Sequence, residues 1–275
     1  MEHTPFSVAM SVYFKDDAGF FDRALQSITE EQSVMPDEIV LVCDGPIGKD
    51  LDSVIEKYQS RYDCFKVVRL PENKGLGNAL KVAVENASCE LIARMDSDDV
   101  SVPDRFEQQL AYFAARPGTD IVGGDITEFI GDEKNVVGRR CVPVSDAEIR
   151  EYMKKRCAFN HVSVMYRKKA VQDAGGYLDW FWNEDYYLWI RMQLSGCRFA
   201  NTGTVLVNVR VGEEMYARRG GKKYFESECG LQKLMLKNKM IGVPVFAGNV
   251  GKRLIVQMLR PNRIRGWVFR KFARD

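Results

Sequence analysis

Short apolar runs alternate with amphipathic segments along the first half of the chain. The apolar runs are FSVAMSVYF, EIVLVC, FKVVRL, ELIARMD and DIVGGDITEFI, starting at residues 6, 38, 65, 90 and 120. Between them, apolar residues recur at helical spacing near 19–32, 50–61, 75–87 and 103–115. This order of elements predicts an α/β fold with a mainly parallel central sheet and helices on both of its faces.

The second half of the chain is less regular. Residues 131–144 fit a hairpin or an excursion from the sheet, and 145–157 fit a helix. The pattern then predicts a strand at HVSVMY, a helix at 184–196 and a strand pair near 198–211. Further helical patterns therefore complete the chain beyond the last predicted strand.

These last helical patterns lie at about 221–240 and 247–259. They follow the alternating region, so we expect a main domain at residues 1–220 and a helical C-terminal extension at 221–275. A chain of 275 residues that is 45% hydrophobic and 28% charged has an ordinary composition for a folded globular protein. It is long enough to bury a large core.

Features of export and of membrane insertion are absent from the sequence. No stretch approaches the ~18 uninterrupted apolar residues of a membrane-spanning helix, and the first residues lack the basic start and apolar segment of a secretory signal. The seven cysteines are odd in number and never spaced as a metal-binding pair, which favours a reducing compartment. We therefore expect a cytoplasmic protein.

Charge is balanced overall and uneven locally. The net charge of +2 gives no reason to expect a nucleic-acid partner. Residues 252–274, however, carry eight basic residues and no acidic one, interleaved with Trp267, Phe269 and Phe272. Such a stretch can lie in an anionic membrane interface, which predicts peripheral contact with the inner face of a membrane. The alternative is a tail packed on the core with a solvated basic face.

The sharpest chemical feature is the run Arg94-Met95-Asp96-Ser97-Asp98-Asp99, which directly follows an apolar run. Carboxylates crowded at a strand end repel one another unless a cation or hydrogen-bond donors compensate them. Mg²⁺ or Mn²⁺ prefers oxygen ligands and readily bridges carboxylates to a diphosphate. Alone, the run fits a solvated turn and helix cap equally well.

Other segments of the sequence favour the metal site over the solvated turn. Five segments follow one another: FSVAMSVYFKDD, DEIVLVCDG, ENKGLGNALKVAVENA, LIARMDSDD and WNEDYYLWIR. This series resembles the family-2 glycosyltransferases, which have the GT-A nucleotide-sugar fold. The resemblance covers about two thirds of the chain, from Ser7 to Arg191. It implies a nucleotide-binding half at 1–100 and an acceptor half at 101–220.

Four residues are implied by the resemblance to bind the nucleotide base of a nucleotide-sugar donor: Ser11, Val12, Tyr13 and Asp44. A carboxylate can accept the imino N–H of uracil, so a UDP-sugar is the expected donor. Without the resemblance, Asp44 fits a simple turn residue.

Three further residues are implied to lie around the donor phosphates. Lys74 and Asn78 would lie near the nucleotide and diphosphate, since an ammonium group suits a phosphate, although Lys74 also fits a surface position. Asp96 would approach the ribose and the metal.

The metal itself is implied to be Mn²⁺ or Mg²⁺. The resemblance makes Asp98 its direct ligand and has Asp99 cap the following helix.

The second acidic pair, Glu184-Asp185, opens a predicted helix. Acids in a first turn favour the helix dipole by about 0.3–1 kcal/mol, which is the structural interpretation. The resemblance instead implies that Asp185 is the catalytic base that takes the proton of the acceptor hydroxyl, and that Glu184 supports the acceptor or the loop. One base and a metal-stabilised leaving diphosphate suffice for a single displacement with inversion.

Three arginines, Arg210, Arg218 and Arg219, flank a glycine-rich stretch near the end of the last predicted strand. They either clamp the donor diphosphate or form a solvated basic loop. This segment resembles a bacterial subset of the family that includes amylovoran, exopolysaccharide and O-antigen transferases. That likeness implies a lipid-diphosphate-linked saccharide acceptor.

Two histidines are present, and His161 precedes the apolar run VSVMY. We expect His161 to hydrogen-bond a loop beside the acceptor cleft. Some family members supply a late histidine as a further metal ligand, and this chain has no histidine after Gly203. Diphosphate oxygens, water or another residue would then have to complete the metal shell.

Two other classes of protein share part of this pattern. A sugar-phosphate nucleotidyltransferase also combines an α/β fold, a metal and acids, but it needs a glycine-rich basic loop where this chain reads SVYFKDDAGFF. A non-catalytic nucleotide-sugar or membrane-surface binding protein is disfavoured by the presence of both Asp98 and Asp185. A processive synthase would need membrane spans and a Gln-x-x-Arg-Trp motif, so we expect one sugar per encounter.

Overall fold

The structure is a computed structural model that describes residues 3–212 and 221–258. The strands are β1 Phe6–Val12, β2 Glu38–Cys43, β3 Phe65–Arg69, β4 Leu91–Met95, β5 Val100–Ser101, β6 Ile121–Phe129, β7 Val136–Arg140, β8 Met165–Arg167 and β9 Phe199–Arg210. The helices are α1 Ala18–Ile28, α2 Lys49–Gln59, α3 Leu76–Asn86, α4 Arg105–Ala115, α5 Asp146–Met153, α6 Lys168–Asp173, α7 Glu184–Leu194, α8 Lys222–Lys237 and α9 Val243–Met258.

The described strands form one sheet in the order β3-β2-β1-β4-β8-β6-β9-β5, with β7 paired to β6. Strands β1 to β4 pair in parallel. Strand β8 is antiparallel to both β4 and β6, so β6 runs in the direction of β4, and β9 is parallel to β6. Most strands therefore share one direction, which confirms the predicted mainly parallel sheet.

Alternating side chains divide the core between the two faces of the sheet. Along β1, Val8 and Met10 pack with helices α1, α2 and α4, whereas Ala9 faces α3 and α7. This alternation follows from the two-residue period of a strand. Because both faces are covered, the central strands β1, β2 and β4 are largely apolar and buried, as is typical of parallel sheets.

The C-terminal helices pack on this body. In α8, Leu231 and Met235 are buried in the same core cluster as Trp189 of α7. Helix α9 is joined to α8 by a hydrogen bond from Asn249 Nδ2 to Gln232 Oε1 of 2.8 Å. The predicted helical extension is thus present, while the domain boundary at residue 220 stays a prediction. Across the described residues, no helix has the length and apolar character needed to cross a bilayer.

Two predicted strands differ in the structure. The segment HVSVMY begins as one turn of 3-10 helix, His161–Ser163, and only Met165–Arg167 is a strand. The Ser163 hydroxyl donates to the backbone oxygens of Gly124 and Asn160, so the side chain competes with the strand hydrogen bonds.

The predicted strand pair near 198–211 is a single strand, β9. Its pairing with β6 shifts register between Gly123 and Asp125, opposite the stretch that contains Gly203. Gly203 has a φ of 77°. The glycine therefore marks an irregularity within one strand, and the sequence pattern suggested a turn at that place.

Candidate active site

The ends of β1, β2 and β4 lie at one edge of the sheet because these strands are adjacent and parallel. The residues that follow are Tyr13, Asp44 and Asp96. The backbone N–H of Asp44 donates to the oxygen of Val12 at 2.8 Å. The structure therefore brings the predicted base-binding residues together at the carboxyl edge, where open α/β sheets bind ligands.

Asp44 connects the end of β2 to the start of α3. Its carboxylate accepts the backbone N–H of Lys74 at 2.8 Å and that of Gly75 at 2.9 Å. Gly45 has a φ of 88°, and a Cβ there would lie 2.6 Å from the nitrogen of Asn73, so only glycine fits. The buried Asp44 thus holds the loop before α3, and any contact with a base would be additional to this clamp.

Lys74 and Asn78 lie at the N-terminal end of α3. The Lys74 ammonium is exposed and lies 3.2 Å from Glu72 Oε1. The Asn78 side chain donates to the backbone oxygen of Lys74 at 2.7 Å. Both residues therefore stand on the loop that Asp44 fixes, beside a helix N-terminus that favours anions.

The 96–99 loop crowds carboxylates together. One oxygen from each of Asp96, Asp98 and Asp99 lies within 4.8 Å of the others. Desolvation by the surrounding protein, followed by the charges of Asp96 and Asp16, raises the pKa of Asp98 to about 6 although its side chain reaches solvent. Burial, followed by the charges of Asp96 and Asp98, raises the pKa of Asp99 well above its usual value. The loop thus holds more negative charge than it compensates.

A buried arginine offsets part of that charge. Arg94 is 2% exposed, and two of its guanidinium nitrogens contact the two carboxylate oxygens of Asp96. A second buried arginine, Arg105, donates to the backbone oxygen of Arg94 at 2.7 Å. Asp96 is therefore oriented by a paired cation, and Asp98 is the carboxylate of the loop most open to solvent.

Asp16 belongs to this site and was missed by the sequence interpretation. Its Oδ2 accepts the N–H of Tyr13 at 3.1 Å and the hydroxyl of Ser97 at 2.8 Å. Burial raises the pKa of Asp16. Asp16 therefore ties the exit of β1 to the 96–99 loop. The available signal was its place in Lys15-Asp16-Asp17, directly after the first strand.

The prediction that Asp99 caps a helix is wrong. Asp99 Oδ1 accepts the backbone N–H of Arg210 at 2.8 Å, and the following helix starts at Arg105 with Asp104 at its cap position. Strand β5 intervenes and pairs with β9. The Asp99 carboxylate therefore joins the 96–99 loop to the end of β9. The two segments are distant in sequence, so no local pattern predicts this contact.

Arg210 is engaged in the same junction. Its Nε donates to the Asp98 backbone oxygen at 3.1 Å, and its guanidinium lies 3.8 Å from the ring centre of Phe20 and 4.7 Å from that of Phe129. These contacts hold the 96–99 loop on β9. The other two predicted diphosphate-clamping residues, Arg218 and Arg219, lie outside the described residues.

Glu184 and Asp185 occupy the first turn of α7. A Cβ on Gly77 of α3 would lie 3.5 Å from Glu184 Cβ, so the starts of α3 and α7 adjoin. Burial, followed by the charge of Asp185, raises the pKa of Glu184 to about 7, and the charges of Arg94 and Asp96 also act on it. The two acidic motifs, about 90 residues apart in sequence, are therefore close enough in the fold for their charges to interact.

His161 lies behind the cleft. Its Nε2 shares a hydrogen bond with the Tyr177 hydroxyl at 2.9 Å, and its ring lies against Trp189. Burial, together with the charge of Arg94, lowers the pKa of His161 well below its usual value. A neutral imidazole packed between aromatic rings matches the expected structural role.

The family model described as "Glycosyl transferase family 2" matches residues 7–175, which contain the ends of β1, β2 and β4. The chain belongs to glycosyl transferase family 2. It is therefore a glycosyltransferase, and the sequence-based resemblance is confirmed. This assignment decides against the nucleotidyltransferase and the non-catalytic alternatives.

Curated relatives of this family-2 glycosyltransferase match most of its length. An uncharacterized glycosyltransferase of Haemophilus influenzae is 40% identical over 91% of this chain and 94% of its own. The amylovoran biosynthesis glycosyltransferase AmsE of Erwinia amylovora is 36% identical over 86% and 88%. A UDP-Gal:α-D-GlcNAc-diphosphoundecaprenol β-1,3-galactosyltransferase of Escherichia coli is 35% identical over 99% and 98%.

Solved structures show the same fold at low sequence identity. S. aureus TarS 1-349 in complex with UDP-GlcNAc superimposes with a TM-score of 0.68 at 16% identity, covering 97% of this chain and 79% of that one. The mannosyltransferase PcManGT from Pyrobaculum calidifontis, in complex with GDP-Man and Mn²⁺, gives 0.62 at 16% over 94% and 71%. The family-2 glycosyltransferase described here thus has the GT-A fold.

Proposed function

We propose that this glycosyltransferase moves a sugar from a UDP-sugar onto a saccharide linked to a lipid diphosphate, with inversion at the anomeric carbon and with the help of a divalent metal ion. The carrying observation is that the carboxylates of the 96–99 loop cluster together and that Glu184 lies close enough to this loop for the charges of Arg94 and Asp96 to act on it. A transfer of this kind needs both a place for a metal-bound diphosphate and a separate base.

The donor end of the cleft would be the carboxyl edge of β1 and β2. Ser11, Val12 and Tyr13 with Asp44 would hold the base, and Lys74 and Asn78 would lie toward the phosphates, at the start of α3. UDP is favoured because the E. coli relative carries UDP-Gal in its name and the TarS complex contains UDP-GlcNAc.

The residues present fit a hard divalent cation. Asp96, Asp98 and Asp99 supply only carboxylate oxygens; burial, followed by the charges of neighbouring carboxylates, raises the pKa values of Asp98 and Asp99, and a bound cation would relieve both effects. Asp98, with Asp96 beside it, would hold Mn²⁺ or Mg²⁺. When bound, the ion would supply positive charge to the diphosphate leaving group.

Asp185 would act as the base at the other end of the cleft. Its carboxylate would take the proton of an acceptor hydroxyl while that oxygen forms a bond to the anomeric carbon of the donor. The bond from that carbon to the diphosphate oxygen breaks, and its electron pair leaves with UDP. Since the attack comes opposite to the leaving group, the configuration inverts. Glu184 would support the acceptor or the loop.

The acceptor and the membrane contact are proposed together. Two of the similar proteins are named for amylovoran biosynthesis and for a diphosphoundecaprenol-linked acceptor. In α9, Leu254 and Ile255 are exposed directly before the basic tail, whose residues 259–275 lie outside the described structure. An apolar surface beside basic residues suits an anionic inner membrane face, where such an acceptor would be presented.

A transfer assay tests this function. The protein is incubated with UDP-Gal or UDP-GlcNAc, Mn²⁺ and GlcNAc-α-diphosphate carrying a short synthetic lipid, and the product is examined by mass spectrometry and by NMR of the new anomeric carbon. We expect one added sugar, inverted configuration and loss of product in EDTA. Retained configuration, full turnover in EDTA or no transfer from either donor would contradict the proposal.

A further inference from the structure

Two aromatic side chains stand exposed on the short loop before the Glu184-Asp185 pair. Phe181 is 41% exposed and Trp182 is 52% exposed. Their ring centres lie 6.0 Å apart with planes at 87°, so they present two differently oriented surfaces. Large exposed aromatic groups beside a cleft indicate a contact site for a ligand.

The backbone of this loop is held in an unfavourable conformation. The N–H of Asn183 donates to the Trp180 oxygen at 3.1 Å, which closes a turn with Phe181 and Trp182 at its centre. Trp182 has a φ of 56°, in the left-handed region where turns normally place glycine. A tryptophan at this position costs stability, and such strain clusters at functional sites.

Helix α8 fixes the loop from behind. The Ser227 hydroxyl donates to the Phe181 backbone oxygen at 2.7 Å and accepts from Asn183 Nδ2 at 3.1 Å. The Trp180 ring packs against Tyr187 with centres 4.3 Å apart and planes at 35°, and its Nε1 donates to the Ser227 backbone oxygen at 3.2 Å. The turn is therefore anchored to α7 and α8, and the partly exposed Phe181 ring also has Lys223 Nζ of α8 at 5.3 Å from its centre.

The position of the Phe181-Trp182 loop indicates which of the two substrates would contact it. Phe181 and Trp182 lie three and two residues before Glu184, the first residue of α7, and Glu184 adjoins Gly77 at the start of α3. On the proposed function, α3 serves the donor phosphates and Asp185 receives the acceptor proton. The ring that carries the reacting hydroxyl must therefore reach this corner of the cleft.

We propose that Phe181 and Trp182 form a stacking platform for the acceptor saccharide, against which the C–H face of its pyranose ring packs. This inference rests on the proposed function. Rigid aromatic rings offer a large contact area at low entropic cost. A platform of this kind would orient the acceptor hydroxyl toward Asp185, and Ser227 would act as its positioning residue.

Steady-state kinetics with the GlcNAc-α-diphosphate lipid probe test the platform. Trp182→Gly and Phe181→Ala should each raise the KM for the probe by about tenfold or more and lower kcat by less, while the KM for the UDP-sugar and donor hydrolysis stay near wild type. Trp182→Phe should keep most of the affinity. Leu194→Ala, which removes an exposed apolar side chain at the far end of α7, is the matched control.

Thermal unfolding separates this role from a structural one. Trp182→Gly relieves the strain at a positive φ, so the midpoint should stay or rise while the KM for the probe increases. An unchanged KM in Trp182→Gly and Phe181→Ala would overturn the platform. A lower midpoint with equal losses for donor and probe would also overturn it, by showing a merely structural loop. If the wild type transferred no sugar to the probe, the proposed function itself would be refuted.

Discussion

The two acidic groups of the cleft are built differently. The 96–99 loop gathers Asp96, Asp98 and Asp99 with Asp16 close by, and a buried Arg94 pairs with one of them. The Glu184-Asp185 pair stands in the first turn of α7, where Asp185 Oδ2 accepts from the thiol of Cys157 at 3.8 Å. Its negative charge is favoured by the helix dipole, on a scale of about 0.3–1 kcal/mol.

This difference matches two kinds of chemistry. Several oxygen ligands with excess charge suit a divalent cation, which would relieve their repulsion. A carboxylate pair whose members interact, with the pKa of Glu184 raised to about 7, suits an exchange of protons near neutral pH. The comparison therefore predicts that damage to the first group abolishes metal-dependent donor binding, and that damage to the second spares it.

The largest effect is expected for Asp98→Asn. Loss of the carboxylate most open to solvent should lower transfer by about 10³-fold, since several kcal/mol of charge stabilisation are lost with the metal. Mn²⁺-dependent binding of the UDP-sugar, measured calorimetrically, should fall with it. Asp173→Asn, an exposed acid of α6, should behave as wild type. Full transfer by Asp98→Asn would refute the assignment of the loop.

Asp185→Asn should lower kcat by at least about 10²-fold, the scale of a lost general base. Donor affinity should remain close to wild type, because the 96–99 loop is intact. Asp50→Asn removes a first-turn acid from α2 and controls for the helix dipole. If donor affinity collapsed while turnover survived, Asp185 would belong to the binding group and the comparison would fail.

Removing residues 261–275 should have a smaller effect. The truncated protein should bind anionic liposomes more weakly and transfer a sugar several-fold more slowly to the lipid-linked probe, because each basic residue near the surface contributes about 1 kcal/mol. A short soluble acceptor should be affected less. Liposome binding by the full chain should weaken with salt, since charges are screened over about 8 Å at physiological ionic strength. If co-sedimentation with liposomes changes neither on truncation nor with salt, the tail packs on the core instead.

The smallest effect concerns stability and pH. The folded protein holds the Glu184 proton more tightly than the unfolded chain, because the pKa rises to about 7. Glu184 therefore makes the protein less stable as pH rises from about 4.3 to 7. His161, whose pKa is lowered, acts in the opposite direction below about 6.5.

The measurement is the difference between wild type and Glu184→Gln without divalent ions. Relative to wild type, the variant should gain a few degrees in unfolding midpoint at pH 7.5 and nothing at pH 4.5. Glu107→Gln, a first-turn acid of α4, is the control. If the unfolding midpoint of Glu184→Gln rose equally at both pH values, the pH dependence of stability would not come from Glu184.

Much of the fold was predictable because buried side chains recur along helices and strands at regular spacings that are visible in the sequence. The strand starting at Glu38 and the helix starting at Leu76 fall within two residues of the predictions, since each is a continuous apolar or amphipathic run. The segment from His161 to Tyr166 was mispredicted. There the Ser163 side chain bonds to the backbone of Gly124, a partner no local pattern reveals.

The sequence by itself determined the alternation of strands and helices in the first half of the chain, the family and the identity of the two acidic motifs. Only the tertiary structure decided how the motifs are held: Asp44 on the loop before α3, Asp16 on Ser97, Arg94 beneath Asp96, and the Trp182 turn on Ser227 of α8. Local periodicity records which side chains are buried. It carries no information about which distant polar groups become partners, because chain topology alone brings them within hydrogen-bond distance.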